Sequence, residues 1–258
     1  MPYAELLAKR IYFEVHGVGD PLVMIHHGFG RTKTWDKIYP AMVEAGYRVV
    51  MYDRRGYGQS ERDADFKEFS FSEKLCSESV KELSHLVEYL EIRSFHIVAQ
   101  CEGGVIGLEY ASRYPERVKT IVVSSTLCCS TDSILRFMEL KNLKPFHEIE
   151  SDLREKLLKW HGKTYAETFY NDQFRVGGGA YGTGVFDLRS TLPYVKCAVL
   201  VLYPDRSHLF GVEQGVTMYR HLPKGELAVI PNCGHNTYEQ RPQEYVHYIL
   251  GFLKRYGF

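Results

Sequence analysis

The chain has 258 residues, 45% of them hydrophobic, and its 32 basic side chains balance its 32 acidic ones. That length holds one α/β domain with an insertion and ample material for a core. A formal charge of zero, with no basic cluster, argues against nucleic acid and anionic membrane as partners, and no apolar run nears the ~20 residues of a bilayer span. Cys76, Cys101, Cys128, Cys129, Cys197 and Cys233 form neither a disulfide framework nor a zinc spacing, so no metal is expected. Met1 to Glu5 do not make a signal peptide. The expected setting is cytoplasmic, the expected partner a small-molecule substrate, and no cofactor is called for. The oligomeric state is not legible.

In chain order, Arg10 to Val15 forms a first strand, turned by residues 17–20. Pro21 to His26 is an apolar run of buried-strand type. Thr34 to Ala45 fits a helix stopped near Gly46, and Tyr47 to Asp53 the next strand. Residues 72–90 place Leu75, Val80, Leu83, Leu86, Val87 and Leu90 on a helical stripe, with Ser70 and Glu73 as a candidate capping box. Ser94 to Gln100 is a buried strand, and Val118 to Ser124 is another. Cys197 to Tyr203 and Glu226 to Pro231 complete the strands, with helices over Val212–His221 and Pro242–Lys254. Strands alternating with helices predict an α/β fold with a mainly parallel, doubly wound sheet.

Two stretches depart from that rhythm. After Gln100 comes Cys101-Glu102-Gly103-Gly104 and then an apolar helix. A strand, a sharp turn with small neighbours and a helix make a nucleophile elbow, and Cys101 is at its apex. The helix N-terminus behind it lowers a thiol pKa. Residues 128–195 interrupt the alternation and are expected to form a lid over a core made of 1–127 and 196–258. Trp160, Tyr165, Phe169, Tyr170, Phe174, Tyr181 and Phe186 either line an apolar pocket facing Cys101 or form the lid's own core. Gly177 to Gly182 suits a hinge better than a phosphate loop, since no Lys-Ser/Thr follows it.

Four segments in order resemble the α/β-hydrolase superfamily over nearly the whole chain. They are His26-His27-Gly28-Phe29-Gly30 followed by Trp35, Asp53-Arg54-Arg55-Gly56-Tyr57-Gly58-Gln59-Ser60, the elbow, and Ile230-Pro231-Asn232-Cys233-Gly234-His235. The family's elbow is normally Gly-x-Ser-x-Gly-Gly. The cysteine version here resembles those of dienelactone hydrolases and polyhydroxyalkanoate synthases. The resemblance implies His235 as base and the backbone N–H groups of Phe29 and Glu102 as oxyanion donors. The Glu102 side chain is expected to point away from the thiol or to pair with Arg or Lys. His26 and His96 are expected to serve packing and hydrogen bonding.

The acid of the triad is where the chain departs from the family. Aligned on the helix beginning at Val212, its position falls on Ser207, two residues after Asp205. Either the loop is rearranged and Asp205 orients His235, which is the preferred reading, or the site is a Cys–His dyad; Asp132 is a second candidate. A cysteine tolerates a poor acid better than a serine does, because part of it is thiolate at neutral pH. The leading expectation is a hydrolase of small, mostly apolar esters, thioesters or lactones through an acyl-cysteine intermediate. The alternatives are an acyltransferase using the same intermediate and a non-catalytic ligand-binding protein on a hydrolase fold.

Overall fold

The computed structural model describes residues 2–62, 66–70, 74–133, 136, 144–171 and 184–256. Among the described residues there are ten strands: β1 (Tyr3–Leu6), β2 (Lys9–His16), β3 (Asp20–Ile25), β4 (Tyr47–Tyr52), β5 (Phe95–Gln100), β6 (Val118–Ser124), β7 (Cys129–Ser133), β8 (Val185–Asp187), β9 (Ala198–Pro204) and β10 (Gly225–Ile230). Eight of them form one sheet in the order β1-β2-β4-β3-β5-β6-β9-β10. The β1–β2 and β2–β4 pairs are antiparallel. Every other pair in this sheet is parallel. The remaining two strands, β7 and β8, pair with each other.

The helices that matter for function are α1 (Tyr39–Glu44), α2 (Phe66–Ser70), α3 (Lys74–Tyr89), α4 (Glu102–Arg113), α5 (Ser151–His161), α6 (Ala166–Phe169), α7 (Glu213–His221), α8 (Thr237–Gln240) and α9 (Pro242–Tyr256). Parallel strands buried on both faces need apolar residues at every position, sorted by the two-residue period. β9 does this: Val199, Val201 and Tyr203 enter one core cluster, and Ala198, Leu200 and Leu202 the other. α3, α4 and α7 contribute to the first cluster and α1 and α9 to the second.

The predicted helix over Thr34–Ala45 is shorter and broken. Thr32–Trp35 is one 3₁₀ turn, and α1 starts only at Tyr39 with Pro40 in its first turn, where a missing N–H does no harm. The β1–β2 hairpin was not anticipated. Its turn holds Leu7 and Ala8 at φ 52° and 60°, without the glycine that usually signals such a turn. The strands β7 and β8 inside 128–195 were also not anticipated. Of the proposed capping box, Ser70 is the last residue of α2, while Glu73 and the hinge at 177–182 lie outside the described residues.

Chain order and sheet order together place the site. The chain steps from β3 outward to β4, then returns to the other side of β3 as β5. Ligands bind outside the carboxyl ends of strands at such a switch point. Those ends carry residues 26–30 after β3, Cys101 after β5, 125–127 after β6, 205–212 after β9 and 231–236 after β10.

Candidate active site

Cys101 has φ 53° and ψ −117° and caps the N-terminus of α4. A non-glycine residue held there costs on the order of 1–3 kcal/mol and needs strong local restraint. Its N–H donates to Ser124 O at 2.8 Å, and its carbonyl accepts from Gly104 N–H at 2.9 Å and Thr126 Oγ at 3.1 Å. The neighbours must be glycine. A Cβ on Gly103 would lie 2.3 Å from the Ile25 carbonyl oxygen, and one on Gly104 would lie 2.0 Å from Thr126 Oγ. Cys101 keeps a small exposed surface, whereas Cys128 is fully buried and burial pushes its thiol up to about 12.

His235 lies in the loop between β10 and α8. Its carbonyl accepts from Gln100 Nε2 at 2.9 Å and Ser125 Oγ at 2.8 Å. Gln100 is the residue just before Cys101, so one side chain braces the elbow against the histidine loop. Its own Oε1 accepts from Ser124 Oγ and from Thr237 Oγ, the latter at 3.4 Å. Sequence reasoning missed Gln100 and Ser125. The available signal was a polar side chain ending an otherwise apolar buried strand.

Asp205 does not reach the imidazole. Its carboxylate accepts from Cys233 N–H at 3.0 Å and faces Arg206 at 3.8 Å. These backbone hydrogen bonds hold its carboxyl below the usual carboxylate range. It therefore stitches the β9 loop to the β10 loop. The atom beside His235 Nδ1 is Ser207 Oγ, at 3.1 Å. The preferred reading of Asp205 as orienter thus gives way to Ser207, where the alignment placed the acid's position. Asp132 lies in β7 with an exposed side chain.

Phe29 is held at both backbone groups. Its N–H donates to His27 Nδ1 at 3.2 Å, and its carbonyl accepts from His161 Nε2 at 2.8 Å. His161 Nδ1 accepts from Gly58 N–H at 3.2 Å, so the ring is neutral with its proton on Nε2. Burial lowers its pKa to about 4. His27 Nε2 donates to Tyr238 OH at 2.8 Å, and burial lowers its pKa well below 6.5. His26 is a buried linker, bonded to the His27 carbonyl at 2.8 Å and accepting from Arg54 N–H at 3.1 Å. His96 bonds Thr120 and Asp20; both rings are structural, as expected.

The Glu102 side chain is buried and paired. Arg54 Nη1 lies 2.6 Å from its carboxylate, and Tyr57 OH donates to it at 3.2 Å. The Arg54 guanidinium stacks 4.3 Å from the Tyr57 ring centroid. The charge beside the elbow is therefore neutralised, as the sequence reading required. The Asp53 turn has equally strict local causes. The Asp53 carboxylate accepts from Thr32 N–H at 2.6 Å and Gln59 N–H at 2.8 Å. Gly58 sits at φ 52°, where a Cβ would come within 2.1 Å of Asp53 Oδ2.

A sequence profile of the α/β hydrolase fold family matches residues 21–175, well over half the chain. The chain belongs to the α/β-hydrolase fold family. This α/β hydrolase is an enzyme of the hydrolase class, similar to named relatives along nearly its whole length. It is 24% identical to a 2-hydroxy-6-oxononadienedioate/2-hydroxy-6-oxononatrienedioate hydrolase of Escherichia coli K12, over 95% of this chain and 91% of that protein. It is 22% identical to a cis-3-alkyl-4-alkyloxetan-2-one decarboxylase of Shewanella oneidensis, over 95% of this chain and 85% of that one. Its fold matches the enol-lactonase of Burkholderia xenovorans LB400 with a TM-score of 0.76 at 16% identity, covering 98% of this chain and 100% of that one. It matches a meta-cleavage product hydrolase of Pseudomonas fluorescens IP01 with a TM-score of 0.78 at 18% identity, covering 98% and 97%.

The aromatic residues of the hydrolase's 128–195 segment divide between two roles. Phe169 is 1% exposed, stacks on His161 with centroids 4.1 Å apart and meets Tyr57 edge-on at 5.2 Å. Tyr165 packs beside it and donates its hydroxyl to the Gly56 carbonyl at 3.3 Å. Both belong to a third apolar cluster with Phe66, Phe146 and Leu157, so among the described residues their contacts are those of the segment's own core. Trp160 lies 6.3 Å from the His27 ring and lines an open groove of about 550 Å³ with Tyr238 and Lys156. Phe174 and Tyr181 lie outside the described residues. Among the described residues, no group of His, Cys, Asp and Glu is arranged to hold a metal, and no helix is long and apolar enough to cross a membrane.

Proposed function

We propose that this hydrolase cleaves small, mostly apolar thioesters, esters or lactones through an acyl-cysteine intermediate on Cys101. The observation that carries the reading is Cys101 at positive φ on the β5 tip, braced through Gln100 to the loop of His235. A residue strained between a strand and a helix in this way is what a nucleophile elbow requires, and the strain serves to present a side chain to a ligand. The thiolate sulfur bonds to the acyl carbon, and the bond to the leaving group breaks. Water then splits the thioester, releasing the acid and regenerating Cys101. His235, on the loop that Gln100 braces to the elbow, is the ring whose protonation governs these steps. The Glu102 N–H at the first turn of α4, with the Phe29 N–H, supplies the oxyanion donors. The Phe29 N–H must then be shared with, or turned from, His27 Nδ1. Residues 128–195 act as the lid, with Trp160 at the pocket mouth.

Relatives named for an oxetan-2-one and an enol-lactone favour cyclic or activated esters as substrates. The test is intact mass after a brief reaction with 4-nitrophenyl acetate, quenched in acid, for wild type and Cys101→Ala. An acetyl adduct on the wild type alone, or nitrophenol release lost in the variant, supports the reading. Equal turnover by the variant overturns it.

A further inference from the structure

The place of Ser207 beside His235 has a consequence for the substrate, given the acyl-cysteine chemistry proposed above. A serine hydroxyl has one proton to donate and two lone pairs to accept with. Both lone pairs are taken: Leu209 N–H donates to Ser207 Oγ at 3.3 Å and Phe210 N–H at 3.1 Å. The hydroxyl proton is left for the remaining neighbour, His235 Nδ1, at 3.1 Å. A ring nitrogen that accepts carries no proton, so the neutral imidazole holds its hydrogen on Nε2. The carboxylate of an Asp or Glu at this place only accepts, which selects the opposite tautomer and supports the imidazolium.

We propose that Ser207 fixes His235 in the Nε2–H tautomer, so that the ring offers the site a donor instead of a base, and that the enzyme therefore turns over acyl groups with good leaving groups, namely thiols, enols and phenols, in preference to alkyl esters. Base catalysis from Nε2 requires the proton to sit on Nδ1. There it meets an oxygen whose lone pairs are already filled by the Leu209 and Phe210 amides. Acylation then proceeds from the thiolate fraction of Cys101, whose proton has gone to solvent. The leaving group departs as its own anion and takes its proton from bulk water. Thiolates, enolates and phenolates leave in this way, whereas alkoxides need an acid at hand. Positive φ at the elbow and the two amide donors on Ser207 are independent features, so Ser207 acts through His235 as a positioning residue.

The experiment compares wild type with Ser207→Asp on a thioester, an aryl ester and an ethyl ester of the same acyl group, alongside ¹⁵N spectra of the His235 ring. The ring signal is assigned by its loss in His235→Gln. The wild-type spectrum should show Nδ1 unprotonated and Nε2 protonated, and Ser207→Asp should exchange the two. The ethyl ester should gain on the order of 100-fold in kcat/KM with Ser207→Asp, the range of one general acid–base interaction. The thioester should change by less than about 10-fold. A protonated Nδ1 in the wild type overturns the proposal even if the variant does not fold. So does wild-type kcat/KM that is equal for the aryl and ethyl esters. If Cys101 forms an adduct and the tautomer fails, only this inference falls; if no activity depends on Cys101, the acyl-cysteine reading itself falls.

Discussion

Asp53 and Asp205 occupy comparable places, each just past the end of a strand beside the site, and the fold treats them differently. Asp53 is fully buried, takes two backbone N–H groups at 2.6 and 2.8 Å and lies 3.7 Å from Arg31. Asp205 has a side chain one-third exposed and takes Cys233 N–H at 3.0 Å. One carboxylate closes a turn that nothing else can close, and the other fastens two loops that solvent already reaches. An acid near an active site is thus no guide to chemistry until its hydrogen-bond partners are counted. Here the atom facing the imidazole belongs to neither aspartate.

Three measurements break or sharpen that contrast. The largest effect is expected from Asp53→Ala, which leaves the Thr32 and Gln59 amides without their acceptor and Arg31 without its counter-charge, and should cost about 3–5 kcal/mol by urea unfolding. A loss below 1 kcal/mol would place Asp53 with Asp205. The next concerns acid. The folded pKa of His161 is about 4, against 6.5 for the ordinary side chain. Above pH 6.5 neither the folded nor the unfolded ring is protonated. As the pH falls from 6.5 to 4, only the unfolded chain takes up the proton, so stability drains away by about 3 kcal/mol at 1.36 kcal/mol per pH unit. His161→Gln should flatten that part of the stability–pH curve; an unchanged slope would remove His161 as its cause. The smallest effect is expected from Asp205→Ala, a slight fall in the urea midpoint for a side chain this exposed, with turnover retained. A Cys101-dependent activity that vanishes with Asp205 would reinstate it as the orienter.

Much of the fold was legible because buried parallel strands have a signature that few other segments share. The reading of Val118 to Ser124 matched β6 end to end, and the elbow could be placed from Gln100 to Gly104. The β1–β2 hairpin was not legible, since Leu7 and Ala8 adopt a turn their side chains disfavour. The acid was misplaced for a similar reason. Spacing along a loop fixes Ser207 two residues past Asp205, but which oxygen faces the ring depends on backbone curvature. Here the N–H groups of Leu209 and Phe210 fold onto Ser207 Oγ. The aromatic residues of 128–195 were ambiguous because an aromatic that walls a pocket and one that fills a core have the same composition. Only their neighbours separate Phe169, packed on His161 and Tyr57, from Trp160, beside His27.

Phe29 is pinned at its N–H and its carbonyl by two imidazoles, His27 and His161, that burial keeps neutral far below physiological pH. The loop that presents the Phe29 amide is therefore silent to titration across the neutral range: no charge appears or disappears at either anchor. A pH–rate curve taken between pH 6 and 9 is thereby relieved of one common ambiguity. An inflection in it comes from groups other than these two anchors: the thiol, the imidazole of the β10 loop, the substrate, or Glu82, whose carboxyl burial pushes up to about 7.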